Sequence, residues 1–301
     1  MHNKTKKRIG VAAMACVMLA AVGATAGTTL AKYVTSTQVT TQQATVAKWG
    51  YTLSANIDNM FAEQYGPAKT GEGPYLAKKT SSNGIVVSAR SSGIKNLVAP
   101  GTTGFMTLTL NGTAEVDTVL TITIPGDAND FKTVYLKNVN GVESSSNDYV
   151  ASTYYPIKWA VTQTTGEATV TPSYASTDVD EAKDIATLIA NALNVDGATV
   201  KQGTDSDANK VFVKLPAKTT FTSDTKLTIS WKWDFENTTN KDLYNKYDTV
   251  LGYLANGTTT GTLDWAGKAL DMTKYEKELD VVVNLSATFE QVQAWPTIFN
   301  S

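Results

Sequence analysis

Residues 104–124 read GFMTLTLNGTAEVDTVLTITI, and the fold is decided there. In the first seven positions Phe105, Thr107 and Thr109 alternate with Met106, Leu108 and Leu110. A repeat of two puts successive side chains on opposite faces of a strand, so one face is apolar and buried while the other carries threonine. Residues 118–124 (TVLTITI) form a second β-branched run, and Asn111-Gly112 and Pro125-Gly126 read as turns that follow the two runs.

The same pattern extends outward in both directions. Residues 84–90 (GIVVSAR) follow an Asn83-Gly84 turn, residues 46–53 surround Trp49, and Pro100-Gly101 marks a further turn. Longer strands are predicted over 154–163 (YYPIKWAVTQ), 225–235 (TKLTISWKWDF) and 279–292 (LDVVVNLSATFEQV). Two helices interrupt them. Asp178 is placed to cap a helix running to Leu193, with Ile185, Leu188, Ile189, Ala192 and Leu193 on one face; a weaker helical pattern covers 241–254. Residues 69–83 and 138–148 are polar and rich in Gly or Ser, which predicts loops, and no fixed-period repeat occurs. The expected architecture is mainly β, a jelly-roll-like antiparallel β-sandwich with short helical insertions, the largest over about 171–218.

The N-terminus has a different character. Lys4, Lys6, Lys7 and Arg8 precede an uncharged apolar run over 9–24 (IGVAAMACVMLAAVGA), the layout of a secretory signal peptide. Small residues allow cleavage after Ala26 or between Ala31 and Lys32. A retained anchor is the competing reading, because the uncharged stretch continues to Leu30; Gly10, Gly23, Gly27 and the threonines at 25, 28 and 29 argue against it. Removing residues 1–31 takes away four of the 26 basic residues and none of the 28 acidic ones, leaving 22 against 28 and a net charge of about −6. Only Arg90 remains of the arginines. No basic cluster is left to displace counterions from phosphate, so no nucleic-acid partner is expected.

The sole histidine, His2, and the sole cysteine, Cys16, lie inside that leader. The expected mature chain therefore lacks a Ser-His-Asp triad, a Cys-His pair and zinc sites of the His or Cys kind, and it has no disulfide to restrict its unfolded state. Among carboxylates no spacing singles out a glycosidase pair. Asp205, Asp207 and Asn209 imitate the opening of a calcium loop, but Lys210 stands at the glycine position and Pro216 at the bidentate acid; a polar hairpin tip is expected. No catalytic residue, cofactor or metal ligand is assigned. Trp231, Trp233 and Phe235, two apart on one strand, are assigned to the core with Trp159 and Trp49 rather than to a carbohydrate platform. Trp295, beyond the last strand, is expected at the surface.

Residues 32–47 (KYVTSTQVTTQQATVA) contain no Gly, no Pro and no charge after Lys32. They form a strand-competent segment with no turn of its own and no obvious partner in its own chain. A flexible tether is the plainer reading of such an N-terminal stretch; the absence of the residues that keep tethers soluble favours pairing.

In chain order, KYVTSTQ (32–38), ATVAKWGYTLSA (44–55), LVAPGTTGFMTLTLNGTAEVD (97–117), YYPIKWAVT (154–162), TISWKWDFE (228–236), YDTVLG (247–252) and VVNLSATFEQV (282–292) resemble the secreted TasA and camelysin family of Firmicutes. The resemblance spans nearly the whole chain in motif order, each motif being short, and leaves the central insertion unplaced. It implies export past a dedicated signal peptidase, with the cut between Ala31 and Lys32, and three parts: a signal peptide at 1–31, a candidate donor strand at 32–47, and a sandwich at 48–301. It further implies a Gram-positive extracellular matrix protein that polymerises head to tail, each freed segment adding as a strand to the next subunit. A strand of about 15 residues reaches about 50 Å, enough to cross a neighbour, with Tyr33, Val34, Val39 and Val46 setting its register. The implied partners are further copies of the chain and an accessory anchoring or nucleating protein. Two rivals are weighed. Some camelysin relatives are described as metalloproteases, but the histidines for such a site are missing here. A monomeric adhesin or glycan binder acting through Trp265, Trp295 or loops is the other. No LPxTG-type motif or apolar tail occurs over 294–301, so wall anchoring by that route is not expected.

Overall fold

The computed structural model describes residues 50–61, 76–81, 83–91, 98–126, 130–138, 153–236, 241–255, 262–265, 268–271 and 275–300. All of them belong to one compact unit, Ala47–Ser301. The leader, the segment 32–47 and Trp49 lie outside the described residues.

Strands are numbered along the chain. One sheet has the order β1 (Thr52–Asn56), β4 (Thr103–Thr113), β12 (Thr220–Trp233), β9 (Ile157–Thr165), with every pairing antiparallel. The second has the order β10 (Thr199–Gln202), β11 (Lys210–Leu215), β5 (Thr118–Thr123), β16 (Val282–Gln291), β3 (Gly84–Arg90), β2 (Leu76–Thr80), and β6 (Phe131–Lys132) pairs with the start of β16. A small sheet joins β15 (Tyr275–Glu278), β7 (Tyr135–Asn138) and β8 (Thr153–Tyr154), and β13 (Thr262–Trp265) pairs with β14 (Lys268–Asp271). Among the described residues there are also two α-helices, α1 (Ala182–Ala192) and α2 (Lys241–Ala255). This is an antiparallel β-sandwich with short helical insertions. Along the chain β1, β3, β4, β5, β9, β11, β12 and β16 fall alternately in the first and second sheets, a jelly-roll-like arrangement in which successive strands cross between layers.

The period-two patterns bury the residues they predict. Met106, Leu108 and Leu110 of β4 face inward at 0 % exposure, while Phe105 on the other face is 39 % exposed. Leu227, Ile229 and Trp231 of β12 pack across from Leu120 and Ile122 of β5, Val211 and Val213 of β11, and Leu285 and Phe289 of β16, within one core. Each such side chain contributes about 1.5 to 3 kcal/mol on removal from water. Trp231 pairs across the ladder with Trp159, and its Nε1 donates to Met60 O at 2.8 Å. Gly104 is required beside it, because a Cβ there would lie 1.9 Å from Met60 O.

Several expectations are corrected. Asn111-Gly112 is no hairpin turn: β4 runs through it to Thr113 and β5 lies in the other sheet. Gly112 has φ +103°, and its backbone closes on Gly50 O, where a Cβ would come to 1.9 Å. Residues 76–80, expected in a loop, form β2, which turns back on β3 with Ser81 N donating to Gly84 O at 2.9 Å. The predicted strand 154–163 divides at Pro156, which has no N–H to contribute to a ladder. The insertion at 171–218 is only partly helical; it supplies β10 and β11, and β11 sits inside the second sheet next to β5. Its helix begins at Ala182 rather than after Asp178, because Glu181 and Asp184 form a reciprocal capping box. Phe235, assigned to the core, is 69 % exposed. β12 ends at Trp233, so the alternation that buries Trp231 and Trp233 no longer governs Phe235.

Candidate functional site

The four outer edges of the two main sheets are treated differently. Edge strands expose unpaired N–H and C=O groups that template association unless they are blunted. The β9 edge is occupied: Ala175 N donates to Trp159 O at 2.7 Å, and the Gln163 side chain exchanges hydrogen bonds with the Asn194 backbone at 2.6 and 2.9 Å. β10 has four residues. β2 has five and carries exposed Lys78 and Lys79, the charges that discourage edge pairing. β1 differs. It pairs only with β4 among the described residues, and Lys78 Nζ reaches over to Ala55 O at 2.8 Å. In an antiparallel ladder alternate residues direct both backbone groups the same way, so Leu53 and Ala55 point theirs away from β4. With Ala55 O taken by Lys78, the rim left without a strand partner among the described residues is the Leu53 backbone and Ala55 N, beside half-buried Leu53 and buried Ala55 side chains.

A second cluster lies where α2 meets the end of β12. Asp248 Oδ1 accepts from Tyr154 OH at 2.8 Å and from Trp233 Nε1 at 3.1 Å. Tyr154 packs against Tyr244 and Tyr247 with centroids 5.3 and 5.1 Å away. Burial raises the Asp248 carboxyl to about 6, against the pull of its two hydrogen bonds. Burial and the adjacent Asp248 raise the Tyr154 phenol well above its ordinary value. A cavity of about 60 Å³ opens beside this cluster, too small for more than a water or two, which makes it a docking contact for α2.

A concavity of about 570 Å³ lies between the N-terminus of α1, the β10–β11 connection and the β7–β8 sheet. Tyr135 and Tyr155 face each other there at 5.9 Å and 55°. Tyr135 OH donates to Glu276 at 2.9 Å and Tyr155 OH to Asp180 at 3.0 Å. Burial, then the bond to Glu276, pushes the Tyr135 phenol up to about 12; that bond and Lys137 hold Glu276 below its ordinary value.

The residues singled out in the sequence are distributed as follows. Trp159, Trp231 and Trp233 are buried and Phe235 is at the surface. Trp265 lies on β13. Trp295 is half-buried, with Lys214 Nζ 4.6 Å from its ring centre. Ala31, Lys32, Tyr33, Val34, Val39, Val46 and Trp49 fall outside the described residues. The Asp205–Asn209 stretch is a hairpin connection: Asp207 pairs with Lys210 at 2.7 Å, and Asn209 Nδ2 donates to Ile124 O at 2.7 Å. No group of three metal-ligating side chains occurs among the described residues. Sequence reasoning missed the Tyr135–Tyr155 pair, which no local spacing announces, and also missed β11, whose alternation of Val211, Val213 and Leu215 was there to find.

Comparison of the chain with protein-family models, curated proteins and solved structures finds no match.

Proposed function

We propose that this chain is a secreted, non-enzymatic structural protein that polymerises into extracellular matrix fibres by donor-strand exchange, the segment 32–47 of one subunit completing the sandwich of the next. The observation that carries the reading is the outer edge of β1, which has no strand partner among the described residues. Three edges of the main sheets are occupied, short or lysine-bearing, while β1 pairs only with β4 among the described residues and directs the Leu53 backbone outward, Ala55 O being taken by Lys78 Nζ. A turnless, nearly uncharged strand in the same chain is the complement such an edge needs. The motif resemblance to the TasA and camelysin family supports the same scheme, with the signal peptide ending at Ala31 and an accessory matrix protein as a further partner.

The test uses the chain starting at Lys32. Sedimentation and negative-stain microscopy are expected to find filaments at high concentration. Deletion of residues 32–44 leaves a folded monomer. Leu53→Pro, which removes an N–H directed away from β4, blocks elongation while near- and far-ultraviolet dichroism stay native. A full-length protein that remains a lone particle at high concentration, or fibres that persist after the deletion, overturns the proposal.

A further inference from the structure

We infer that the groove between α1 and the β7–β8 sheet binds an oligosaccharide bearing free, protonated amino groups, about two or three sugar units long. Its volume of about 570 Å³ falls within the range of about 300 to 1,000 Å³ typical of small-ligand sites. The tilted pair Tyr135 and Tyr155 offers the amphipathic rings against which a sugar face packs. Each phenol is fixed by a carboxylate, Glu276 or Asp180, and keeps acceptor capacity on its oxygen for a sugar hydroxyl.

The charge of the lining selects the sugar. Both lysines are already neutralised, Lys132 by Glu278 at 2.8 Å and Lys183 by Glu181 at 2.5 Å. Asp180 and Asp205 hold no ion pair among the described residues. The N-terminus of α1, which otherwise attracts anions, is closed by its own acids, Asp184 accepting from Asp180 N and Glu181 N. Phosphate and uronate polymers meet like charge here, whereas an ammonium finds two carboxylates without an ion-pair partner among the described residues, Asp205 and Asp180, the latter accepting from Tyr155 OH.

The groove is distinct from the β1 edge, so the inference stands whether or not fibres form. Calorimetric titration of the monomer lacking residues 32–44, and of the chain starting at Lys32, is run with a glucosamine trisaccharide, its N-acetylated counterpart, cellotriose and spermidine. Saturable binding of the glucosamine trisaccharide is expected in both proteins, weakened about tenfold or more by N-acetylation and by the double variant Asp180→Asn, Asp205→Asn. Asparagine preserves the acceptor for Tyr155 OH and suits the φ of +50° at position 205, so the variant is expected to melt like the parent. Absence of saturable binding, affinity unchanged in the double variant, or spermidine binding as tightly as the amino sugar overturns the inference; the last would mean cation attraction without sugar recognition.

Discussion

Replacing Asp248 by asparagine removes a charge that the fold holds at a disadvantage. The carboxyl sits on α2 against Tyr154 and Trp233, with Tyr244 beside it and Lys158 and Asp234 at the rim of the same small cavity. Burial, the dominant cause, raises it from 3.8 to about 6. The folded state therefore binds a proton more readily than the unfolded chain, and the stability this provides is present in full below about pH 4. It is lost as pH rises through about 6. At full burial such a rise is worth about 3 kcal/mol; Asp248 is half-buried, and screening by water reduces the effect to about 1 to 2 kcal/mol. Asparagine keeps an oxygen for both donors and cannot ionise. Urea unfolding of parent and Asp248→Asn at a series of pH values from about 4 to 7.5 isolates this one group from the other acids. The stability difference is expected to move toward the variant by about 1 to 2 kcal/mol across that window. A difference that stays flat with pH, or that moves toward the parent as pH rises, refutes the reasoning.

Two further substitutions examine the core. Gly104→Ala drives a Cβ to within 1.9 Å of Met60 O and 2.7 Å of Trp231 Nε1, and is expected to destabilise the protein by about 3 kcal/mol; an unchanged melting temperature contradicts the close approach. Trp231→Phe takes away the donor to Met60 O and leaves a cavity in a fully buried position, with an expected loss of about 2 to 4 kcal/mol, read as a lower urea midpoint at an unchanged slope.

The β1 edge and the groove beside α1 belong to different parts of one fold, and the sequence discloses them unequally. An edge is a negative property: Leu53 and Ala55 look like any half-buried strand residues until it is known that β4 is the one strand beside β1 among the described residues. The groove gathers Thr133, Tyr155, Asp180, Asp205 and Glu278, residues up to 145 positions apart, none of which carries a local signature.

By itself the sequence determined the long strands of the two main sheets and their inward faces, because side chains alternate with a period of two wherever the chain is extended. Met106, Leu108, Leu110, Leu227, Ile229 and Trp231 are buried as that rule requires. It also determined α2, written in a helical repeat and observed over Lys241–Ala255. Tertiary structure alone decided where the alternation stops and which strand lies beside which. Phe235 continues the pattern of Trp231 and Trp233, yet emerges into solvent because β12 ends at Trp233. Asn111-Gly112 has the composition of a turn, yet β4 passes straight through it because Gly50 closes on Gly112 and β5 belongs to the opposite layer. Periodicity is fixed by bonds within a few residues; edges, crossovers and grooves are fixed by pairings across the whole chain, whose free energy no short window of sequence contains.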